Sequence, residues 1–89
     1  MRALRQNTLF RRDYKLQKRR NKRIEKLEKI IQILLHRGEL PDLYRPHKLF
    51  GEWMGLWECH IEPNWLLIYD VDDARVLLVR TGTHSDLFK

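Results

Sequence analysis

The sequence predicts an α+β domain of two layers, in which helices from the first half of the chain pack on antiparallel strands from the second half. Apolar residues recur with a helical period before Gly38, and after Met54 they form short runs with the period of a strand. The turns between those runs are short, which favours antiparallel neighbours. A chain of 89 residues has room for one core, so we expect a single domain over residues 1–89.

Two helices are predicted before Gly38, and they should form a hairpin. The first begins after Asn7, a favoured N-cap residue, and turns Phe10 and Tyr14 inward. Asn21 caps or interrupts the chain before the second helix, and Gly38 ends that helix in the left-handed conformation. The second helix is amphipathic, with an inward stripe at Ile24, Leu27, Ile31, Leu34 and Leu35.

The second half contains an ordered connection followed by a three-stranded meander. We predict the strands at residues 55–61, 65–71 and 75–81. Strand alternation in the first of them presents Cys59 to the helices and turns Glu58 and His60 to the opposite face. His60 is therefore predicted to point away from the main core.

Positive charge is concentrated in the first half of the chain. Residues 1–37 contain thirteen Lys/Arg and three acidic residues, a net charge of +10, whereas residues 38–89 contain five and nine, a net charge of −4. Such a block favours binding to a polyanion, with nucleic acid as the default partner. A solvated helical face is the simpler alternative. The candidate contacts lie in the run KLQKRRNKR and are Lys18, Arg19, Arg20 and Lys22.

Composition also bears on the compartment. The single cysteine, Cys59, allows no internal disulfide and is typical of a reducing environment, so we expect a cytoplasmic protein. No apolar run approaches the roughly 20 residues that a membrane-spanning helix needs, so no membrane partner is expected.

The histidines on a basic chain favour RNA cleavage. RNA carries its own nucleophile, the 2′-OH, so cleavage needs a base, an acid and positive charge near the phosphate. His47, His60 and His84 could supply the first two near neutral pH, and the planar fork of Arg80 could supply the charge. A zinc site is the competing use of these residues, but no usual ligand spacing is present and Cys59 and His60 face opposite ways. We therefore expect no metal and no cofactor.

Three motifs resemble the YafQ branch of the RelE/ParE toxins of bacterial type II toxin–antitoxin modules. They are H-x-L-x-G-x-W, H-I-x-P-x-W-L-L-I-Y and R-T-G-T-H-x-x-L-F, all within residues 47–88. The resemblance implies a β-α-α-β-β-β order, with the helical hairpin packed on a four-stranded antiparallel sheet. Its first strand would be a short one before Asn7.

The resemblance also implies site roles for particular residues. It makes His47, His60 and His84 catalytic, makes Arg80 the cationic stabiliser, and puts Trp65 and Phe88 at the substrate edge. Asn64 departs from the pattern, since an aspartate is expected there. An amide can orient a histidine but cannot stabilise an imidazolium as a carboxylate does. Glu58 or Glu62 could substitute for the missing carboxylate.

The function that the resemblance implies is toxicity through RNA cleavage. The protein is expected to be a ribosome-dependent, metal-independent mRNA endonuclease that inhibits translation. Its expected partners are a cognate antitoxin, the ribosome with mRNA in the A site, and operator DNA through the antitoxin. The alternative is a catalytically weak or inactive homologue that binds antitoxin and acts as a co-repressor on operator DNA. A gyrase-poisoning toxin shares the fold but lacks the histidine set.

Overall fold

A computed structural model describes residues 1–88 of the chain. Five strands and three helices follow one another along it, with two short 3₁₀ turns at Asp42–Tyr44 and Gly51–Trp53. In chain order they are β1 (Ala3–Gln6), α1 (Thr8–Arg19), α2 (Ile24–Arg37), β2 (His47–Lys48), β3 (Trp57–Glu62), β4 (Trp65–Val71), β5 (Arg75–Gly82) and α3 (His84–Leu87). Among the helices in this part of the chain, none has the length and apolar character to cross a membrane.

The α+β class is confirmed, but the predicted four-stranded antiparallel sheet is wrong in detail. The sheet has five strands in the order β1-β5-β4-β3-β2. It is mixed, because β1 pairs in parallel with β5, from Ala3 opposite Arg75 to Gln6 opposite Leu78. The parallel pairing is possible because β1 and β5 are not consecutive in the chain: the helices and the strands β2, β3 and β4 lie between them. The added strand β2 contains two residues and pairs with β3.

The start of α1 and the end of α2 follow local capping chemistry, as predicted, whereas the N-cap position of α2 is Arg23, whose side chain makes no capping hydrogen bond. The Asn7 side chain accepts a hydrogen bond from the Phe10 backbone N–H at 2.8 Å, which satisfies an otherwise free donor in the first turn. Gly38 ends α2 with φ 77°. Glycine adopts this left-handed conformation readily, whereas it is sterically unfavourable for a residue with a side chain. Asn21 also has positive φ, 60°, in the connection between α1 and α2.

The sheet separates two apolar clusters. The main cluster lies between the sheet and the helices and includes Phe10, Leu27, Cys59, Leu67 and Tyr69. The smaller cluster lies on the other face, where Leu66, Ile68, Val79 and Leu87 are buried and Trp53 and Phe88 pack against them. The second cluster is the floor of the candidate site, because α3 packs on this face of the sheet through Leu87.

Candidate active site

Cross-strand register assembles the candidate site on the face opposite the helices. His47, Glu58, Ile68 and Arg80 form one row across β2, β3, β4 and β5. His60, Leu66 and Gly82 form the next row. Residues directly opposite one another share a face of a sheet. Two of the predicted histidines are therefore neighbours, and the third follows two residues after Gly82.

His47 contacts a buried carboxylate. Its Nε2 lies 3.2 Å from Glu58 Oε1, and its Nδ1 lies 3.0 Å from the Arg45 carbonyl oxygen. Glu58 is only 4% exposed. Both ring nitrogens thus face oxygen acceptors, an arrangement that suits the doubly protonated imidazolium, since only that form donates from both nitrogens. In that form the positive charge of the ring is balanced by the buried carboxylate of Glu58.

His60 is arranged to accept a proton at Nε2. Its Nδ1 lies 3.3 Å from the Pro63 carbonyl oxygen. A carbonyl only accepts hydrogen bonds, so Nδ1 carries the hydrogen and the lone pair of a neutral ring is on Nε2. The rings of His60 and His47 are 6.4 Å apart, centroid to centroid. The prediction that His60 points away from the helices is confirmed.

The C-terminal helix α3 brings His84 and Phe88 to the site. The ring centroids of His84 and Phe88 are 5.2 Å apart, and Phe88 meets Trp53 edge to face at 6.3 Å. The His84 backbone N–H donates to Asn64 Oδ1 at 3.2 Å. Asn64 therefore acts on the position of His84, and this contact needs only an acceptor oxygen, which an amide and a carboxylate both have.

Asp86 fixes the same short helix to α1. The Thr83 N–H donates to Asp86 Oδ2 at 2.8 Å, and the Asp86 N–H donates to Thr83 Oγ1 at 3.1 Å, a reciprocal capping box. Arg20 donates to both carboxylate oxygens, at 2.7 and 3.2 Å. The hydrogen bonds from Arg20 hold the pKa of Asp86 well below its usual range. Arg20, predicted to bind substrate, is thus engaged within the protein.

Arg80 lies on the site face, but its charge is already partnered. Its Nε donates to Asp13 Oδ2 at 2.6 Å and its Nη2 donates to Asp13 Oδ1 at 3.1 Å. The Thr81 N–H donates to the same carboxylate. The hydrogen bonds that Arg80 donates to Asp13 raise the pKa of Arg80 further. Arg80 also lines a hollow of about 390 Å³ with Arg12, Lys15 and Arg19, so the surface around it remains strongly basic.

One of the predicted substrate contacts needs correction. Trp65 was expected at the substrate edge, and this is wrong, because its side chain is fully buried among the helix-facing residues. Its Nε1 donates to Thr81 Oγ1 at 2.9 Å. Lys22 is half-buried, over the Trp65 ring at 5.9 Å and 4.0 Å from Glu62, and its contact with substrate stays a prediction. Lys18 and Arg19 end α1 with exposed side chains, as a nucleic-acid contact requires.

Two further site residues, Glu58 and Asp86, have weaker signals in the sequence. Strand alternation put Glu58 beside His60, but only the structure pairs it with His47. The stretch Thr-x-x-Asp before Leu87 is a capping-box pattern that predicts a helix start, and it identifies Asp86. Glu62, the other candidate replacement for an aspartate, is instead bound by Lys26 at 2.9 Å.

Metal ligation finds little support in the geometry. Cys59 is fully buried on the helix side, and burial raises the pKa of its thiol, which disfavours the thiolate that a metal needs. Within residues 1–88 no three His, Cys, Asp or Glu side chains are grouped as a metal site requires.

Comparison with known proteins identifies similar chains. A family model described as the bacterial toxin of type II toxin–antitoxin system, YafQ, matches residues 2–89. The mRNA interferase toxin YafQ of Escherichia coli K12 is 39% identical over 80 residues, which cover 89% of this chain and 87% of that protein. The structure of the E. coli DinJ-YafQ complex matches at TM-score 0.91 and 36% identity, covering 100% of both chains. A metal-bound toxin from Helicobacter pylori matches at TM-score 0.89 and 30% identity, covering 99% of this chain and 100% of that one.

Proposed function

This chain belongs to the YafQ family of bacterial type II toxins, and from that premise we propose that it is an mRNA interferase, an endoribonuclease that inhibits translation. One observation carries the proposal: His47 and His60 lie on one face of the sheet, with His47 against the buried carboxylate of Glu58, and α3, which begins at His84, packs on the same face. The relative from E. coli K12 is named an mRNA interferase toxin. The family model matches residues 2–89, all but the first residue of the single domain proposed over residues 1–89.

The proposed reaction is attack of the RNA 2′-OH on the adjacent phosphorus. His60 Nε2 takes the 2′-OH proton, the 2′ oxygen forms a bond to phosphorus, and the bond from phosphorus to the departing 5′ oxygen breaks. His84 gives that oxygen a proton, so the products are a 2′,3′-cyclic phosphate and a 5′-OH. The His47 imidazolium and Arg80 stabilise the extra negative charge of the phosphorane. The chain and the RNA supply every group, so the reaction is proposed to be metal-independent and cofactor-free.

Asn64 serves this chemistry as a positioning residue. Its side-chain oxygen holds the backbone of His84, while the carboxylate in the site is supplied by Glu58 beside His47. With asparagine in place of aspartate, the protein therefore still has an acceptor for the His84 backbone and a carboxylate beside His47. The alternative of an inactive co-repressor depended on Asn64, and no contact of Asn64 favours it.

The proposed partners follow from charge and family. Lys18 and Arg19 are exposed at the end of α1 and would contact ribosomal RNA, while the histidine face meets mRNA in the A site. E. coli YafQ has been crystallised in a complex with DinJ, and we propose a cognate antitoxin for this chain, with operator DNA bound through it. Cleavage of mRNA at the ribosome would place the protein in the cytoplasm.

Purified protein added to programmed ribosomes tests the proposal. Wild type should cut the mRNA, leave a 2′,3′-cyclic phosphate, and continue to do so in excess chelator. We expect His60→Ala and His84→Ala to lower the rate at least about 100-fold, the range that acid–base groups contribute. His36→Ala, at the exposed end of α2, is the matched control and should cut normally. Intact mRNA with wild type, or cleavage that chelator abolishes, would refute the mechanism.

A further inference from the structure

A cleft of about 270 Å³ opens beside His60. The 3₁₀ turn before β2 forms one wall with Leu43, Tyr44 and Arg45, and the turn after β3 forms the other with Pro63. His60 lines this cleft and also belongs to the candidate active site on the sheet. The cleft and the candidate active site therefore adjoin each other. The cleft is smaller than the roughly 300–1,000 Å³ of typical ligand pockets, which suits a single nucleobase.

The lining has the composition of a base-stacking platform. Tyr44 is half-buried and packs against the main core, so its ring is held in place. Leu43 is 74% exposed at the rim, where its side chain can contact the edge of a bound base. Flat aromatic and guanidinium groups stack on any base, because every base has a π-face. Tyr44 and Arg45 supply these two groups.

The charge of the cleft is compatible with RNA. Glu62 is its only acidic lining residue, and Lys26 donates to it at 2.9 Å while Lys22 lies 4.0 Å away. The hydrogen bond from Lys26 lowers the pKa of Glu62, so the carboxylate is charged but locally balanced. Arg45 leaves the cleft with a cationic rim, which attracts a phosphate chain.

The backbone of Arg45 connects the cleft to His47 in the candidate active site. Arg45 has φ 53°, a left-handed conformation that is uncommon for a residue with a side chain and is often found at functional sites. Its N–H donates to the Asp42 carbonyl at 2.8 Å, and its own carbonyl lies 3.0 Å from His47 Nδ1. The strained residue therefore lines the cleft and holds His47 at the same time.

We propose that this cleft is a nucleoside subsite that holds the base of the nucleotide whose 2′-OH attacks the phosphate. The inference rests on the proposed ribonuclease function. His60 Nε2 must come within about 3 Å of the 2′ oxygen, and the base of the same nucleotide is attached to the neighbouring ribose carbon. The base must then lie beside His60, where the cleft is.

The test combines a change in the protein with a change in the RNA. Ribosome-bound messages carry either a normal base or an abasic site at the nucleotide 5′ of the cut. Removing the base should lower kcat/KM of the wild type about 5- to 100-fold, the range that stacking of one base is worth. Tyr44→Leu keeps apolar volume against the core but lacks the ring, so it should cut both messages at the same low rate.

Two further variants separate stacking from folding. Leu43→Ser changes an exposed side chain of the cleft and should also reduce the effect of the abasic site. Leu4→Ser changes an exposed leucine on β1, away from the cleft, and should behave as wild type. Equal sensitivity of wild type and Tyr44→Leu to the abasic site would overturn the subsite, as would loss of antitoxin binding by Tyr44→Leu with no change in cleavage.

A measurement that does not depend on cleavage keeps the two proposals distinguishable. A message with 2′-deoxyribose and 2-aminopurine at the same nucleotide cannot be cut, but stacking quenches its fluorescence. Wild type and Leu4→Ser should quench it, and Tyr44→Leu should not. Quenching without cleavage of the normal message would refute the ribonuclease function and leave the subsite standing. Cleavage of the normal message without quenching would refute the subsite and leave the ribonuclease function standing.

Discussion

Arg20 and Asp86 form a two-pronged ion pair, with distances of 2.7 and 3.2 Å, that ties the end of α1 to α3. The two residues are 66 positions apart in the chain. Asp86 is also the N3 residue of the capping box at the start of the helix that begins with His84. Arg20, at the end of α1, thus holds the helix that carries His84, the proposed general acid. A helix of four residues is too short to be stable by itself, so this tertiary contact stabilises it.

Loss of this ion pair should impair catalysis more than binding. We expect Arg20→Ala to lower kcat about 10- to 100-fold, because small displacements of catalytic groups have costs of this order. Arg19→Ala, the adjacent exposed cation, should instead raise KM and reduce the salt dependence of binding. Arg20→Lys should recover part of the rate, since it restores one of the two prongs. Steady-state kinetics at two salt concentrations test this, and identical kinetic changes in Arg19→Ala and Arg20→Ala would contradict the positioning role.

The Asp86 carboxylate should make stability depend on acid pH. Its folded-state pKa lies below the unfolded value of about 3.9, so its contribution is complete above that value and disappears as the pH falls through the folded pKa. Thermal unfolding from pH 6 to pH 2 should therefore show a steeper loss for wild type than for Asp86→Asn. Asp73→Asn, at a fully exposed carboxylate, is the control. Parallel curves for wild type and Asp86→Asn would exclude the linkage.

Glu58 should position His47 through the contact between its buried carboxylate and Nε2. Glu58→Gln keeps the size of the side chain but replaces the carboxylate, 3.2 Å from His47 Nε2, with a neutral amide. We expect cleavage to fall about 10-fold or more, because a carboxylate accepts a stronger hydrogen bond than an amide oxygen and holds the ring more firmly. Glu52→Gln, at an exposed position in the loop between β2 and β3, should cut at the wild-type rate. Cleavage by Glu58→Gln at the wild-type rate would show that His47 acts without this carboxylate.

Substitution of Trp65 should mainly affect stability, and substitution of Phe88 should mainly affect activity. Trp65→Phe removes the buried hydrogen bond to Thr81 and should lower the free energy of unfolding by about 1–3 kcal/mol, with little change in cleavage of the folded protein. Phe88→Leu removes the ring beside His84 and should lower kcat/KM with a smaller change in stability. Denaturant unfolding and cleavage assays on both variants decide the point. A stable but inactive Trp65→Phe would restore the tryptophan to the substrate edge.

Local patterns in the sequence determined where two helix ends lie and which way the side chains of β3 face. Asn7 and Gly38 fixed the helix ends because capping depends on neighbouring residues, and alternation in β3 turned His60 and Glu58 to the site face. Alternation could not orient Trp65, because the run WLLIY is apolar on both faces of β4. The family motifs identified the three histidines and the position at which Asn64 replaces an aspartate.

The tertiary structure alone decided which distant groups meet. It paired β1 in parallel with β5, gave Asp13 to Arg80 and Asp86 to Arg20, and put Glu58 beside His47. Many acidic side chains could have satisfied those cations, and the charge pattern along the chain does not choose among them. The choice is made by packing, because burial of the two apolar clusters fixes which side chains come within hydrogen-bonding distance.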